Sequence, residues 1–183
     1  MKKLSIILTL LQLSIFSQDR TTIYNTGSPP IIDEGHGISI NQSMATRFTL
    51  SNDYVLEAIV FYMSLQSQEG NLIVSIREDN NGAPGELVSE LSQWNHSLDP
   101  FNLSGYNLIL TTDLCIYLNP SSPYWLRIDA ADANTQALWS YSSGTLYTYS
   151  QNNNQEGWIN NIGQTGASGV FAEQIYENPY QKG

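Results

Sequence analysis

The chain has 183 residues, with seventeen acidic against seven basic residues and a formal net charge of −10. A surface of this sign disfavours nucleic acid and anionic lipid as partners, because both are themselves negatively charged. The length is that of one domain and is sufficient to bury a core. The single cysteine, Cys115, excludes an internal disulfide, and we expect it to be a small buried side chain.

The first residues have the pattern of a bacterial-type export signal. Lys2 and Lys3 form a basic start, residues 4–16 are largely apolar, and Ser17 is a small residue suited to cleavage. The apolar run is too short for a transmembrane helix, so we expect a secreted protein without membrane insertion. Loss of the two lysines would change the net charge from −10 to −12. We therefore predict a signal peptide at residues 1–17, one domain at 18–176 and a tail at 177–183.

Strand patterns recur along the chain, and helical periodicity is nearly absent. The clearest hairpin spans residues 72–94. Its first arm alternates apolar and polar side chains, and a polar loop with two turn motifs follows. Asn81 and Gly82 suit positive φ, whereas Pro84 and Gly85 suit a type II turn. The pattern then predicts one continuous return strand over residues 86–94.

Other strands extend this hairpin into a sheet. Residues 55–65 are apolar on both faces, which is typical of a central strand. Residues 124–130 alternate, with Trp125, Arg127 and Asp129 on the face opposite the apolar side chains. Residues 137–142 and 146–150 resemble a hairpin. The total of about ten short strands predicts an all-β fold, an antiparallel β-sandwich of jelly-roll type, with a barrel as the alternative.

The order of these features resembles the choice-of-anchor R type, a family of secreted bacterial jelly-roll domains of unknown function. The matching segments are residues 24–27, 47–50, 56–59, 74–76, 79, 82–85, 124–126, 139 and 157–158. The resemblance implies a jelly-roll sandwich and, in many members, a separate surface-anchoring segment. Only seven residues follow Tyr176 in this sequence, and we expect no such anchor in them.

Aromatic residues are the main candidates for a binding site. The chain has four tryptophans and eleven tyrosines. Flat rings stack on the C–H faces of sugars, while amides and carboxylates bind sugar hydroxyl groups. We therefore hypothesise an exposed carbohydrate platform beside the asparagine-rich residues 151–155. Its candidate members are Trp125, Trp139, Tyr147, Tyr149 and Trp158. The alternative is that these rings pack between the sheets, as aromatic strand residues commonly do.

A calcium site is a second possibility, at Glu78, Asp79 and Asn81. Calcium takes carboxylate, amide and carbonyl oxygens, and these residues supply them within one loop. The competing interpretation is that the loop forms a turn, which already explains Asn81. We predict no other cofactor.

No catalytic residue is predicted. Glycoside hydrolysis needs two facing carboxylates, and the nearest acid pairs are Asp33 with Glu34, Glu78 with Asp79, and Asp129 with Asp132. Adjacent carboxylates diverge on a strand, and acids in loops are usually solvated. His36 and His96 are both predicted in loops, without the nucleophile and carboxylate of a triad.

Three hypotheses follow for function. The first is a secreted, non-catalytic module for extracellular ligand binding or adhesion, with a glycan or another cell-surface component as partner. The alternative is a structural subunit that self-assembles outside the cell or in a matrix through exposed strand edges. The third is a secreted glycoside hydrolase that acts through an acid pair.

Overall fold

The computed structural model describes residues 20–154 and 156–175. The predicted signal peptide at 1–17 and tail at 177–183 lie outside the described residues. Within them the chain forms fourteen strands and no helix. The strands are β1 Thr21–Asn25, β2 Gly35–Ile38, β3 Gln42–Phe48, β4 Tyr54–Leu65, β5 Gly70–Asn80, β6 Ala83–Leu87, β7 Gln93–Leu98, β8 Tyr106–Leu110, β9 Tyr117–Leu118, β10 Tyr124–Ala130, β11 Ala137–Ser140, β12 Tyr147–Asn153, β13 Trp158–Gly163 and β14 Ser168–Gln174.

The strands form two antiparallel sheets of seven strands each. Sheet I has the order β1-β14-β4-β11-β2, and β8 and β9 also pair with β4. Sheet II has the order β13-β12-β3-β10-β5-β6, and β7 also pairs with β5. The chain crosses repeatedly between the sheets, for example from β3 to β4 and from β4 to β5, as in Greek-key and jelly-roll sandwiches. The predicted all-β antiparallel sandwich is confirmed, with fourteen strands among the described residues rather than about ten.

The main core lies between the sheets and follows the predicted alternation. In sheet II, the inward residues of β5 and β10 are fully buried, including Val74, Ile76 and Leu126. From sheet I, Trp139 enters the same core with 0 % of its surface exposed. Its Nε1–H donates to the Ala167 carbonyl at 3.1 Å. A methyl group at position 166 would overlap the indole ring, so Gly166 is required by close packing.

The hairpin between β5 and β6 is tighter than the sequence predicts. Asn81 and Gly82 have φ values of 53° and 87°, and β6 begins at the next residue. Positive φ at both central residues is the geometry of a two-residue type I′ turn. The turn at Asn81 and Gly82 is therefore confirmed. The second predicted turn is wrong, because Pro84 and Gly85 lie within β6, an edge strand that tolerates proline.

The return strand predicted over residues 86–94 is interrupted. Residues 88–92 separate β6 from β7, and both ends of this segment bond to the backbone of Ile76. The buried Ser92 hydroxyl donates to the carbonyls of Ile76 and Ser89, at 3.0 and 2.7 Å. The Ile76 N–H also donates to the Ser92 carbonyl at 2.9 Å. These bonds satisfy the backbone around the interruption, so two short strands replace one long one.

Two further sequence-based expectations are wrong. The segments 137–142 and 146–150 do not form a hairpin, because β11 lies in sheet I and β12 lies in sheet II. Cys115 is exposed rather than buried. It has a φ of 47° and lies between β8 and β9, where the backbone turns.

Sheet II curls so that its two edges meet. The Asn160 side chain on β13 donates to the Gly82 carbonyl, at the tip of the β5–β6 hairpin, at 2.6 Å. Because β13 and β6 are opposite edges of the sheet, this contact makes its outer face concave. Fully buried residues lie on that face, outside the main core: Ala45, Ser75, Trp125 and Ser150. We call this concave outer face of sheet II the outer groove.

The burial of Trp139 predicts a large loss of stability on truncation. Trp139→Ala should lower the free energy of unfolding by about 3–5 kcal/mol, because it removes apolar contact and leaves a cavity. Urea unfolding followed by circular dichroism measures this loss. Tyr117→Ala is the control, since Tyr117 is 65 % exposed and its truncation should stay within about 0.5 kcal/mol of the parent protein. A Trp139→Ala variant as stable as the Tyr117→Ala control would contradict the packing described.

Candidate functional site

The strand register aligns three outward residues across the centre of the outer groove. Trp125 on β10 lies directly opposite Arg47 on β3 and Arg77 on β5. Residues directly opposite each other in an antiparallel pair have their side chains on the same face of the sheet. One indole ring is therefore flanked by two arginines on the floor of the groove.

A second row of paired residues crosses the groove beside the first. It includes Ser75, Arg127, Ala45, Ser150 and Asn160. Three small buried residues in this row leave room for the one long side chain, that of Arg127. Beyond them, Ser43, Asn152 and Trp158 form the next row from β3, β12 and β13.

The Asp79 carboxylate accepts hydrogen bonds from residues on the floor of the groove. Its Oδ1 accepts a hydrogen bond from Trp125 Nε1 at 2.8 Å and another from Arg47 Nε at 3.0 Å. Its Oδ2 accepts one from the Gly82 backbone N–H at 2.9 Å. Burial acts to raise the pKa of Asp79, but these hydrogen bonds and the Arg47 charge outweigh it and hold the pKa below its ordinary value.

The three residues named for a possible calcium site have other roles in this arrangement. The Asp79 oxygens already accept three N–H groups. Glu78 is exposed on the opposite face of β5, and the Asn81 amide donates to Asn80. Among the described residues, no group of three or more histidine, cysteine, aspartate or glutamate side chains is placed to hold a metal ion. Protein hydrogen bonds thus engage Asp79 and Asn81, and calcium at Glu78, Asp79 and Asn81 stays a prediction.

Arg127 and Arg77 occupy the groove with different partners. Arg127 donates from Nε and Nη2 to Asp129 Oδ1, at 3.0 and 2.7 Å. Its guanidinium carbon lies 5.0 Å from the centre of the Trp158 ring, a cation–π contact. Arg77 donates to the Ser75 hydroxyl at 3.1 Å and the Gly85 carbonyl at 2.9 Å.

Arg77 forms no ion pair with any described residue. Burial lowers the pKa of Arg77, and the nearby Arg127 charge lowers it further. The negative charges of Asp129 and Glu86 act in the opposite direction on Arg77, without direct contact. The groove therefore holds one guanidinium without a direct counter-ion.

A cleft of about 320 Å³ lies at one end of the groove. Its polar lining comes from the β2–β3 turn, β3, β10 and β12, and includes Ser39, Asn41, Ser43, Arg127, Asp129 and Asn152. Hydroxyl, amide, carboxylate and guanidinium groups thus surround one cavity, and both donors and acceptors are present.

The structure does not bring the five predicted aromatic residues together. Trp125 and Trp139 are both 0 % exposed, one under the groove floor and one in the main core. The expectation of an exposed ring is wrong for these two. Trp125 is on the outward face as its alternation predicts, but the curl of sheet II covers it.

The other three aromatic candidates lie on two different faces. Trp158 is half-buried and lines the groove beside Arg127. Tyr149 lies on the inward face, packed against the core, with its ring centre 4.8 Å from that of His36. Tyr147 is half-buried, and its ring contacts Tyr24 edge-on at 6.3 Å. Of the predicted platform, Trp125 and Trp158 belong to the outer groove, and of these two Trp158 alone is partly exposed.

The arginines are the groove residues that the sequence-based site omitted. Three of the seven basic residues, Arg47, Arg77 and Arg127, lie on this one face. The sequence did contain a signal for them, because each arginine alternates with inward-facing residues along its strand. The alternation cannot reveal that the three strands are neighbours.

Two other candidate acids and both histidines have hydrogen-bond partners. Asp33 accepts a hydrogen bond from Ser64. Asp132 accepts hydrogen bonds from Asn71 on β5 and from Thr135 and Asn134 in the turn after β10, and these lower its pKa. His36 and His96 lie in β2 and β7, not in loops.

The two ring nitrogens of His36 are both engaged. Nε2–H donates to the Gln164 carbonyl at 2.9 Å, and Nδ1 accepts from the Gln151 amide at 2.9 Å. Burial lowers the pKa of His36, which favours this neutral form. His36 therefore serves packing between β2 and β12, and no nucleophile contacts it among the described residues.

Neither a scan against protein-family models nor a search of curated proteins found a match to this chain. No helix in residues 20–154 and 156–175 has the length and apolar character needed to cross a membrane.

The Asp79 hydrogen bonds predict a pH-dependent stability effect. Asp79→Asn should lower the free energy of unfolding at pH 7 by about 1.5–3 kcal/mol, because hydrogen bonds to a charged group are lost. The lowered pKa of Asp79 means that its ionised form stabilises the fold above the unfolded value of 3.8. This stabilisation is lost as the pH falls through the folded-state pKa.

Urea unfolding at pH 7 and at pH 3 or below measures both effects. The difference between parent and Asp79→Asn should be largest at pH 7 and shrink in acid. Glu78→Gln is the matched control, since it neutralises the adjacent exposed carboxylate and should change stability by less than about 0.5 kcal/mol. Equal effects of the two substitutions at pH 7 would contradict the role assigned to Asp79.

Proposed function

We propose that the chain is an exported, non-catalytic carbohydrate-binding module whose ligand lies in the outer groove. The observation that carries this proposal is the half-buried Trp158 ring, set between the charged pair Arg127–Asp129 and the amides of Asn152 and Asn160. An aromatic face beside convergent hydrogen-bonding groups matches the two sides of a sugar, one apolar and one hydroxylated.

The size and lining of the cleft support a small polar ligand. Its volume of about 320 Å³ is at the lower end of the roughly 300–1,000 Å³ typical of small-molecule sites. Its lining is polar, whereas most drug-like sites are predominantly apolar. This composition favours a sugar unit over an apolar molecule.

The groove carboxylates favour binding over hydrolysis. Glycoside hydrolysis needs one carboxylic acid that remains protonated near neutral pH, which requires a raised pKa. Asp79 has a lowered pKa, and Asp129 is ion-paired with Arg127 at 2.7 Å. Asp79 thus favours the ionised state, and both carboxylates already accept N–H hydrogen bonds. Export is supported by the basic and apolar pattern of residues 1–17 in the sequence.

Trp158 provides the test of this function. Trp158→Ala should weaken polysaccharide binding about tenfold, because a stacked ring contributes on the order of 1.4 kcal/mol. Affinity electrophoresis against neutral and acidic soluble polysaccharides, followed by calorimetry on those that retard the protein, measures the loss. Tyr117→Ala removes an exposed ring from sheet I and should leave binding unchanged. Absence of binding across the panel, or equal binding by the Trp158→Ala variant, would refute the proposal.

A second candidate function is self-assembly through sheet I. The edge strand β8 pairs only with β4 within the described residues. Its outward side chains Tyr106, Leu108 and Leu110 are 43, 42 and 59 % exposed. An apolar edge strand with unpaired backbone groups can add a strand from a second copy of the same chain.

A charged substitution on this edge distinguishes assembly from a monomeric module. If assembly occurs through β8, the parent protein should become larger with concentration in light scattering after size exclusion. Leu108→Lys should keep the protein monomeric, because a lysine on an edge strand blocks pairing. Glu90→Lys, an exposed position outside both sheets, is the control and should assemble as the parent does. A parent protein that stays monomeric up to about millimolar concentration would exclude this candidate, since edge pairing is driven by mass action.

A further inference from the structure

We propose that the outer groove selects glycans that carry an anionic group, a carboxylate or a sulfate, and that Arg77 and Arg127 bind this group. The inference rests on the proposed carbohydrate function and names the class of sugar. Its support comes from the distribution of charge, the unused hydrogen-bond donors, an unpaired hydroxyl group in the groove and the position of Trp158.

The charge distribution is the first argument. The chain carries a net charge of −10, yet three of its seven basic residues lie on one concave face. Arg47 is neutralised by Asp79 on the groove floor, with the nitrogen and oxygen 3.0 Å apart. Arg77 retains its positive charge without a direct counter-ion among the described residues. A buried or half-buried charge is favourable only when it is paired, so an anionic ligand would complete the site.

The donors left unused on the two arginines are the second argument. Arg77 uses Nε and Nη1, and Arg127 uses Nε and Nη2. Arg77 Nη2 and Arg127 Nη1 therefore have no hydrogen-bond partner among the described residues. Arg77 lies diagonally across from Arg127 on the adjacent strand, since Arg127 is opposite Ser75. Diagonal neighbours on adjacent strands are within reach of long side chains, so the two guanidinium groups can donate together to the oxygens of one carboxylate or sulfate.

An unsatisfied hydroxyl group in the same row is the third argument. Ser150 is fully buried, and its Oγ has no hydrogen-bond partner among the residues that the structure describes. Ser150 lies opposite Ala45 on β3, and Ala45 lies opposite Arg127 on β10. Most buried hydroxyl groups in proteins are paired. A ligand oxygen or a water molecule that accompanies the ligand would supply the missing partner.

Trp158 connects the anion site to the sugar. Its ring already contacts the Arg127 guanidinium group at 5.0 Å, which restricts the orientation of that group before a ligand arrives. A sugar ring placed near Trp158 would hold its carboxylate or sulfate toward Arg127 and Arg77. Planar, fixed guanidinium groups recognise such anions by paired hydrogen bonds, which a lysine ammonium group cannot reproduce.

Calorimetry with matched acidic and neutral ligands tests the inference on the unaltered protein. The probes are short oligogalacturonates, the same oligomers as methyl esters, dextran sulfate and plain dextran. At least one acidic probe should bind tenfold or more tightly than its neutral counterpart. Preference for oligogalacturonate identifies a carboxylate as the anion, and preference for dextran sulfate identifies a sulfate. Equal affinity for both members of both pairs would overturn the inference.

Substitutions at the two arginines locate the binding site. Arg77→Gln should weaken the acidic ligand tenfold or more and leave the neutral counterpart within twofold. Arg77→Lys keeps the charge, but it should regain less than half of the binding free energy that Arg77→Gln loses. Arg20→Gln is the matched control. It also removes one positive charge, but Arg20 pairs with Glu57 on β4 of sheet I, away from the outer groove. Equal losses for Arg77→Gln and Arg20→Gln would show only general charge attraction and would overturn the assignment.

Failure of this inference is separable from failure of the proposed function. Neutral glycans that bind in a Trp158-dependent manner, with no preference for the acidic forms, would refute anion selection alone. Absence of binding to every probe would refute both. Circular dichroism of each variant shows whether it is folded. The comparison of acid with methyl ester needs no variant, so a misfolded Arg77 variant does not prevent the test.

Discussion

The shape of sheet II depends on the hydrogen bonds that the Asp79 carboxylate accepts. It accepts hydrogen bonds from Trp125 on β10, from Arg47 on β3 and from the Gly82 backbone at the hairpin tip. The carbonyl of Gly82 in turn accepts a hydrogen bond from Asn160 on the opposite edge strand, β13. Through these hydrogen bonds the Asp79 carboxylate connects the centre of the sheet to both of its edges. Without the carboxylate, the buried Trp125 N–H would have no acceptor.

The closed curl determines which side chains meet the solvent. It covers Trp125, so the largest outward ring becomes part of the floor and is not available for stacking. It also keeps Arg77 and Arg127 on one concave surface, beside the half-buried Trp158. Electrostatic interactions are stronger in such a partly enclosed space than on an open surface. The proposed site therefore depends on the fold of the whole sheet rather than on one loop.

Local patterns in the sequence predict faces and turns but not the curvature of the sheet. Alternation over residues 124–130 places Trp125 and Arg127 outward, and Asn81 with Gly82 forms the predicted turn. The contacts that close the groove join residues distant in sequence, since Asn160 and Gly82 are 78 positions apart. Burial of Trp125 and the convergence of three arginines arise from those long-range contacts. Periodicity carries no information on them, which is why the predicted aromatic platform included two buried tryptophans and omitted the three arginines.

Chemical-shift mapping of side-chain N–H groups shows directly whether the outer groove is the ligand-binding surface. On titration with the tightest-binding glycan, the Arg77 and Arg127 Nε–H signals and the Trp158 Nε1–H signal should shift. The Trp139 Nε1–H signal should not move, because this group is buried in the main core and donates to Ala167. Shifts confined to residues outside the groove, with these three signals unchanged, would contradict the account.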